Sequence, residues 1–307
     1  MQKEGEEISC PKTREIFISY YNLHLDGLKT NLPLLLTYNP DAIHDVRVAT
    51  RRMRAVLNEC KKWLPSDIKY TLATQLRTIT RSLSKRRELD VIQQVFEHLL
   101  INNKETFYEN FILDFSNYIN KLRENEVKNC SIAYNTSLEI LNYPPLEEHL
   151  KFPSDFCIYP YAKKRVLSSI TKIKRGTKSI QNVKSPMNET VHIFRILIKK
   201  IRYMWEIYHY IFQSPLQNFS EHLKTTQTLL GDYNDFRILS LLLKDFNKQT
   251  NQAYSQNISK IRDDLKEKML KKINEAENAI ENVINTKNIK NIKQEIKEIC
   301  NTHICIS

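Results

Sequence analysis

Apolar residues recur at three- and four-residue steps along most of the chain, which is the spacing of one face of an α-helix. The clearest example runs from Ile258 through Leu265 to Ile280, with lysines and glutamates between the apolar positions. That segment is predicted to be a packing helix with a solvated face, and we assign it no chemistry. The same spacing predicts helices over 12–38, 40–65, 66–100 (one helix or a broken pair), 103–125, 126–142, 162–181, 185–213, 217–249 and 254–286.

Local signals mark some of the helix ends. Asn39 is a predicted N-cap, followed by a first-turn proline and the first-turn acid Asp41. Ser185 and Pro186 repeat the N-cap-plus-proline pattern, and the helix they begin is expected to end before Pro215. The proline-rich and aromatic stretch 143–161 is the best candidate boundary, so we predict two helical halves, 1–150 and 151–307.

Composition supports the helical reading and adds a strong positive charge. Glycine occurs four times in 307 residues, which favours long helices over turn-rich β structure. The formal net charge of +12 points to an acidic partner, either a polyanion or a membrane surface. The polar, acidic N-terminal residues lack the apolar core of a signal peptide, and no apolar run is long enough for a membrane span. We therefore expect a cytoplasmic protein without a membrane partner. The six cysteines are scattered, which predicts reduced thiols rather than a zinc site.

An internal repeat carries the functional argument. The segments HDVRVATRRMRAVL at 44–57 and HIFRILIKKIRYMW at 192–205 lie 148 residues apart, and each has a His followed by cations at +3, +7, +8 and +10. At roughly 100° per residue, the cations form a stripe on one helix face and apolar residues cover the opposite face. The stripes contain His44, Arg47, Arg51 and Arg54 in the first repeat and His192, Arg195, Lys199 and Arg202 in the second, with Arg52 and Lys200 at their flanks.

Both stripes lack acidic residues, whereas an ordinary solvated helix face mixes charges of both signs. Like charges one turn apart repel, and a bound anion would relieve that repulsion. The two histidines occupy the same position in each repeat, which favours a role in binding over simple packing. Their cationic neighbours should lower the pKa of both imidazoles.

A second similarity follows each repeat by about forty residues. It pairs LSKRRELDVI at 83–92 with LGDYNDFRIL at 230–239, and aligns Ser84 with Gly231 and Glu88 with Asp235. Arg77 and Lys224 correspond a few residues earlier. The chain is therefore predicted to consist of two related halves.

These residues together resemble the CHAD domain family, named for a conserved histidine in an α-helical domain. The resemblance covers nearly the whole chain and rests on the two His-x-x-Arg repeats and on the Leu-Gly-x-x-x-Asp element at 230–235. The chain departs from that element in its first half, where Ser84 and Glu88 replace Gly and Asp. The resemblance implies an all-α fold of two pseudo-symmetric helical bundles, with long helices around a central basic channel that binds inorganic polyphosphate. The binding set it implies is His44, Arg47, Arg51, Arg52, Arg54, His192, Arg195, Lys199, Lys200 and Arg202, with Arg77 and Lys224 as second-tier members.

Two other function classes stay open. A nucleic-acid-binding helical protein would use the same charges, although single-strand binders interleave aromatic residues for stacking, and these stripes present none. A metal-dependent phosphohydrolase could use Glu88, Asp90, Asp232 and Asp235, but the His44-Asp45 pair has Ile193 in place of the acid in the second repeat. We expect no catalysis, cofactor or metal. Polyphosphate is the expected partner, and its granules and the enzymes that metabolise it are further candidate partners.

Overall fold

The structure, a computed structural model, describes residues 13–101, 109–153, 156–181, 183–185, 187–209 and 211–302. Within those ranges the ordered elements are all helices, and the predicted all-α class is confirmed. None of these helices combines the length and the apolar character needed to span a membrane. The helices are α1 (Thr13–Leu35), α2 (Pro40–Glu59), α3 (Ser66–Ser82), α4 (Ser84–Ile101), α5 (Glu109–Glu124), α6 (Val127–Leu141), α7 (Leu146–His149), α8 (Ile158–Ile180), α9 (Glu189–Tyr208), α10 (Gln213–Gln249), α11 (Ser255–Ile284) and α12 (Thr286–Thr302).

The first basic helix begins as its sequence predicts. The Asn39 side-chain oxygen accepts hydrogen bonds from the backbone N–H groups of Asp41 and Ala42, at 3.0 and 2.9 Å. These bonds satisfy amides that have no partner within the helix. The helix ends at Glu59, earlier than the predicted limit at Pro65. The 66–100 segment is a broken pair, α3 and α4, with Leu83 between them.

The predicted start of the second basic helix is wrong. Helix α9 begins at Glu189, and its N-cap is Asn188, whose side chain accepts a hydrogen bond from the Thr190 N–H at 2.8 Å. Pro186 lies outside the described residues. Pro215 also has a different role, because it lies in the first turn of α10, where its missing N–H disrupts no helical hydrogen bond. Helix α12 was not predicted from the sequence.

Helices α2 and α9 occupy the middle of the fold. The apolar face of α2 packs against α1 and α3, the apolar face of α9 packs against α8 and α10, and α2 also contacts α9. Buried side chains on these faces include Met53, Val56, Phe194 and Trp205. Cations from both helices line the space between them.

The aromatic stretch predicted as a boundary packs against the first half of the chain. The Trp63 ring lies 4.6 Å from the rings of Phe152 and Phe156 and 5.0 Å from that of Tyr161, measured between centroids. The Lys151 N–H also donates to the Trp63 carbonyl at 3.0 Å. The division into halves 1–150 and 151–307, with their pseudo-symmetry, stays a prediction.

Candidate functional site

Two adjoining cavities lie between the basic faces of α2 and α9. The larger has a volume of about 650 Å³ and the smaller about 380 Å³. Arg51 from α2 and Arg195 and Lys199 from α9 line both cavities, and we call these three residues the central trio. The predicted stripes therefore meet across the space between two helices that are distant in sequence.

The smaller cavity is lined by matching positions of the two repeats. His44 faces it from α2 and His192 from α9, and Arg47 matches Arg195 in the same way. Helices α4 and α10 complete its wall with residues from the second pair of similar segments. Those residues are Ser84, Arg87, Glu88, Val91, Asn234, Asp235, Arg237 and Ile238.

The larger cavity combines cations with apolar side chains. Arg54 and the exposed Lys200 join the central trio there. The other lining residues are Ala55, Asn58, Glu59, Ile196, Tyr203 and Met204. Tyr203 is 7% exposed, so little of its ring is available to a ligand.

Arg47 is held in place by α3 and by the start of α4. Its guanidinium donates to the Thr80 carbonyl at 2.7 Å and to the Ser84 hydroxyl at 2.6 Å. The Ser84 hydroxyl in turn donates to the same carbonyl at 2.6 Å. Burial, followed by the nearby charges of Arg51 and Arg87, lowers the pKa of Arg47 to about 9. Ser84, which aligns with Gly231 of the second repeat, thus contributes a hydroxyl that orients a cation of the site.

Lys199 is the most perturbed cation of the central trio. Burial, then the charges of Arg195 and Arg51, lower its pKa to about 6, although Asp235 acts in the opposite direction. Burial also lowers the pKa of Arg195, and its Nε is buried without a hydrogen-bond partner in the described structure. Burial raises the pKa of Asp235, and the charges of Arg195 and Lys199 oppose that shift. Cations outnumber acids along the walls of both cavities.

The two histidines behave alike. Burial is the largest cause of the lowered pKa of His44, and Arg87 is the next; for His192 the corresponding causes are burial and Arg195. The direction agrees with the expectation from the sequence, but that expectation named the cationic neighbours alone and overlooked burial. The Nδ1 atom of His192 is buried and lacks a hydrogen-bond partner among the described residues.

Arg52 and Arg202 lie outside the linings of both cavities, because each is bound to Glu206. The distances to the Glu206 carboxylate are 2.8 Å from Arg52 Nε and 3.0 Å from Arg202 Nε. The Tyr20 hydroxyl also donates to this carboxylate, at 2.8 Å. Glu206 lies one residue beyond the repeat, four positions after Arg202, and the sequence analysis missed it. The sequence predicts stripes without acidic residues, but Glu206 supplies an acid at the edge of the second stripe.

The second-tier residues differ in position. Arg77 is exposed on α3 and close enough to Arg54 to help lower the pKa of that guanidinium, after burial and together with Arg51 and Arg81. Lys224 is exposed on α10 and lines neither cavity. Arg77 therefore extends the cationic surface near the larger cavity, and Lys224 does not adjoin either one.

Arg87 and Arg237 are two site residues that the sequence pattern did not predict. Both line the smaller cavity from outside the two basic helices. Both arginines lie in the second pair of similar segments, Arg87 within LSKRRELDVI and Arg237 within LGDYNDFRIL. In the alignment of those segments Arg87 falls opposite Asn234 and Arg237 opposite Asp90, so neither arginine is repeated between the two halves.

The acids near the site form no metal centre in the described part of the chain. No group of three or more His, Cys, Asp or Glu side chains is placed there to hold a metal ion. Asp90 is paired with Arg123 at 2.8 Å and with Arg86 at 3.4 Å. Asp232 is paired with Lys272 at 3.1 Å. These acids act as structural partners of nearby cations.

Comparison with known proteins gives matches at the level of family and fold. A family model described as the CHAD domain matches residues 19–244. The structure is similar to the crystal structure of the CHAD domain from the plant Ricinus communis, with 17% identity, coverage of 92% of this chain and 91% of that chain, and a TM-score of 0.59. It is also similar to PptA from Streptomyces chartreusis, with 13% identity, coverage of 87% of this chain and 99% of that chain, and a TM-score of 0.62. A search of curated proteins found no match.

Proposed function

The chain belongs to the CHAD domain family, and from that premise we propose that it binds inorganic polyphosphate in the two cavities between α2 and α9. The observation that carries the proposal is the central trio, Arg51, Arg195 and Lys199, which lines both cavities. A ligand that contacts these residues can reach into either cavity. The proposal therefore includes a continuous basic path from the smaller cavity to the larger one.

Polyphosphate fits this arrangement because its charge repeats along a flexible chain. Successive phosphates can meet successive cations while counterions are released into solution, as happens on nucleic-acid backbones. The guanidinium groups of Arg51 and Arg195 can each donate two hydrogen bonds to phosphate oxygens, whereas Lys199 supplies a compact charge. The negative ligand would restore protonation of Lys199 and supply acceptors for the unpartnered Arg195 Nε.

Nucleic acid is the main alternative ligand, and the nature of the cavity walls argues against it. Single-stranded nucleic acids bind through aromatic side chains that stack on bases as well as through cations. Among the residues that line the two cavities, Tyr203 is the one Phe, Tyr or Trp, and it is almost fully buried. Apart from it, His44 and His192 are the aromatic rings of the two linings, so the site offers many cations and few stacking surfaces, which favours a ligand without bases.

Competition between polyanions tests the proposal. Labelled polyphosphate is bound to the protein and displaced with unlabelled polyphosphate, tRNA or heparin at matched concentrations of charge. Polyphosphate should compete best by about tenfold or more, because its charged units follow one another without intervening sugars and can meet closely spaced cations. Equal competition by all three polyanions would indicate non-specific attraction, and stronger competition by tRNA would favour the nucleic-acid alternative.

We further propose that the protein binds polyphosphate without cleaving it. Hydrolysis needs an activated nucleophile or a metal-bound water, and no group of three or more His, Cys, Asp or Glu side chains among the described residues is placed to hold a metal ion. Incubation with polyphosphate or nucleotides in Mg²⁺ or Mn²⁺ should release no phosphate. Sustained release that is abolished by Glu88→Gln or Asp235→Asn would overturn this part of the proposal. A non-catalytic binder of this kind would follow its ligand in the cell, including onto polyphosphate granules.

A further inference from the structure

Helix α8 is a third basic helix, and none of its cations lines either of the two cavities. It contains seven cations and no acid. Arg165 forms an ion pair with the buried Glu59 carboxylate, with its Nε 2.7 Å from Oε2 and its Nη2 2.5 Å from Oε1. Four of the remaining cations are exposed, and none of these four forms an ion pair within the described residues. We call them the α8 track: Lys164, Lys172, Arg175 and Lys178.

The four cations lie on one face of the helix. At roughly 100° per residue they fall within a sector of about 120°, which also contains the exposed Ser168 and Thr171. Lys164 and Lys178 are fourteen positions apart, which corresponds to about 21 Å along the helix axis. The α8 track is therefore an extended row of positive charge with hydroxyl groups between the cations.

Contacts with α9 fix the direction of α8. The Cβ of an added side chain at Gly176 would lie 2.5 Å from an atom of Phe194, so the two backbones approach closely at that point. Further along, the Trp205 indole N–H donates to the Ser169 hydroxyl at 2.7 Å. Residues later in α9 therefore contact residues earlier in α8, which shows that the two helices are antiparallel.

This pairing brings the α8 track level with the larger cavity. Lys172 lies between the contacts made by Ser169 and Gly176, so it is level with the middle of α9. That part of α9 carries Lys200, an exposed cation that lines the larger cavity. The start of α8 reaches the same cavity wall, because Arg165 binds Glu59, which also lines it.

We propose that the α8 track binds the part of a polyphosphate chain that extends out of the larger cavity past Lys200. This inference rests on the proposed function and adds a second binding segment to it. A chain held in the cavities presents its next phosphates at high effective concentration to nearby cations, so even weak contacts add to affinity. A chain too short to leave the cavities gains nothing from them. The α8 track should therefore make binding depend on chain length.

The test compares two ligands and two variants with the same loss of charge. The track variant carries Lys164→Gln, Lys172→Gln, Arg175→Gln and Lys178→Gln. The control variant carries Lys29→Gln, Lys121→Gln, Lys128→Gln and Lys260→Gln, which alter exposed cations on α1, α5, α6 and α11. Circular dichroism verifies that both variants keep their helices, and calorimetry measures binding of tripolyphosphate and of long-chain polyphosphate.

The track variant should lose about tenfold or more in affinity for the long chain and keep its affinity for tripolyphosphate, since avidity requires a ligand that reaches both segments. The control variant should lose much less for the long chain. Equal losses in the two variants, or equal losses for the two ligands, would overturn the inference and leave the proposed function standing. Wild-type protein that binds neither ligand would overturn both.

Discussion

At the scale of single residues, Lys199 shows how the site departs from an ordinary protein surface. Its pKa lies near 6 in the folded protein, against 10.5 for an unperturbed lysine. Between these values the unfolded chain holds more protons than the folded one, so this residue makes stability rise with pH across that window. Below about pH 6 the amine is charged in both states, so the full free-energy cost of burying that charge opposes folding. The ligand-free site therefore destabilises the protein at neutral pH.

Replacing Lys199 with methionine should stabilise the ligand-free protein and weaken polyphosphate binding. Burial, with the charges of Arg195 and Arg51, makes the amine lose its proton on folding at pH 7, and methionine removes that cost. A gain of about 1 kcal/mol or more is therefore expected at pH 7. The melting temperature at pH 7 should rise by about 2 °C or more. This gain should shrink as the pH rises through 10.5, the pKa of the unperturbed lysine, because the amine is neutral in both states above that value. Lys200→Met, at the exposed neighbouring position, is the matched control and should change stability little.

Polyphosphate affinity should increase as pH falls from 8 to 5.5. A bound anion favours the protonated forms of Lys199, His44 and His192, so binding takes up protons wherever these groups are neutral in the free protein. Lys199 should account for the change above about pH 6, because its charge there comes mainly with the ligand. The histidines should account for the change at lower pH, since their pKa values in the free protein are lowered from 6.5.

Affinity measured across this range in three proteins separates the contributions. Lys199→Met should flatten the upper part of the profile, and the double variant His44→Gln with His192→Gln should flatten the lower part. If wild type and both variants share one pH profile, the anion is held by arginines alone and the histidines have a packing role.

Glu206 is expected to stabilise the fold and to keep two arginines from the ligand. Glu206→Gln would leave Arg52 and Arg202 without a counter-charge and should cost about 1–3 kcal/mol of stability, because both pairs are partly buried. Denaturant unfolding measures the cost, and Glu124→Gln, at an exposed position on α5, is the control. Polyphosphate should recover more stability in the Glu206 variant than in wild type. A variant as stable as the control would show that the pairs contribute little.

At the scale of secondary-structure elements, α2 and α9 act as the two walls of one site. Arg51→Glu and Lys199→Glu should each lower polyphosphate affinity by about tenfold or more, since each reverses a charge that lines both cavities. The double variant should lose less than the sum of the two free-energy changes, because the residues contact one ligand segment. Lys260→Glu, on the exposed face of α11, is the control for net charge. Equal effects at all three sites would indicate diffuse attraction.

Helices were predictable from the sequence where the signal is local. The Asn39 cap and the apolar spacing of α2 depend on residues within a few positions of one another. The start of α9 was misplaced because Ser185 and Asn188 are both acceptable caps, and the choice between them depends on packing. Pro215 was taken as a terminator, although a proline equally suits a first helical turn.

The same distinction applies to the candidate site, where local spacing was predictable and contacts between distant segments were not. The cations of each stripe share a helix face, so spacing alone brings His44, Arg47 and Arg51 together. Glu206 pairs with Arg52 across 154 residues, and such a contact leaves no mark on the local pattern. Arg87 and Arg237 likewise reach the smaller cavity through the packing of α4 and α10 on the central helices.

At the scale of the whole molecule, the net charge of +12 should make binding strongly dependent on salt. Several phosphate contacts release several counterions, so affinity should fall by about a hundredfold or more between 50 mM and 200 mM salt. A plot of log Kd against log salt concentration gives the number of contacts as its slope. The track variant should have a shallower slope than wild type for long chains, and a flat plot for wild type would contradict an ionic binding mode.

The crowding of cations in the central trio should also affect how long the protein survives in a cell. A folded state that is weakened by internal repulsion opens more often, and proteases cleave the opened form. A polyanion that binds only the folded state lowers the population of that form in proportion to its own concentration. The supply of ligand would therefore set the lifetime of the protein, which should accumulate when polyphosphate is plentiful and be degraded faster when it is scarce.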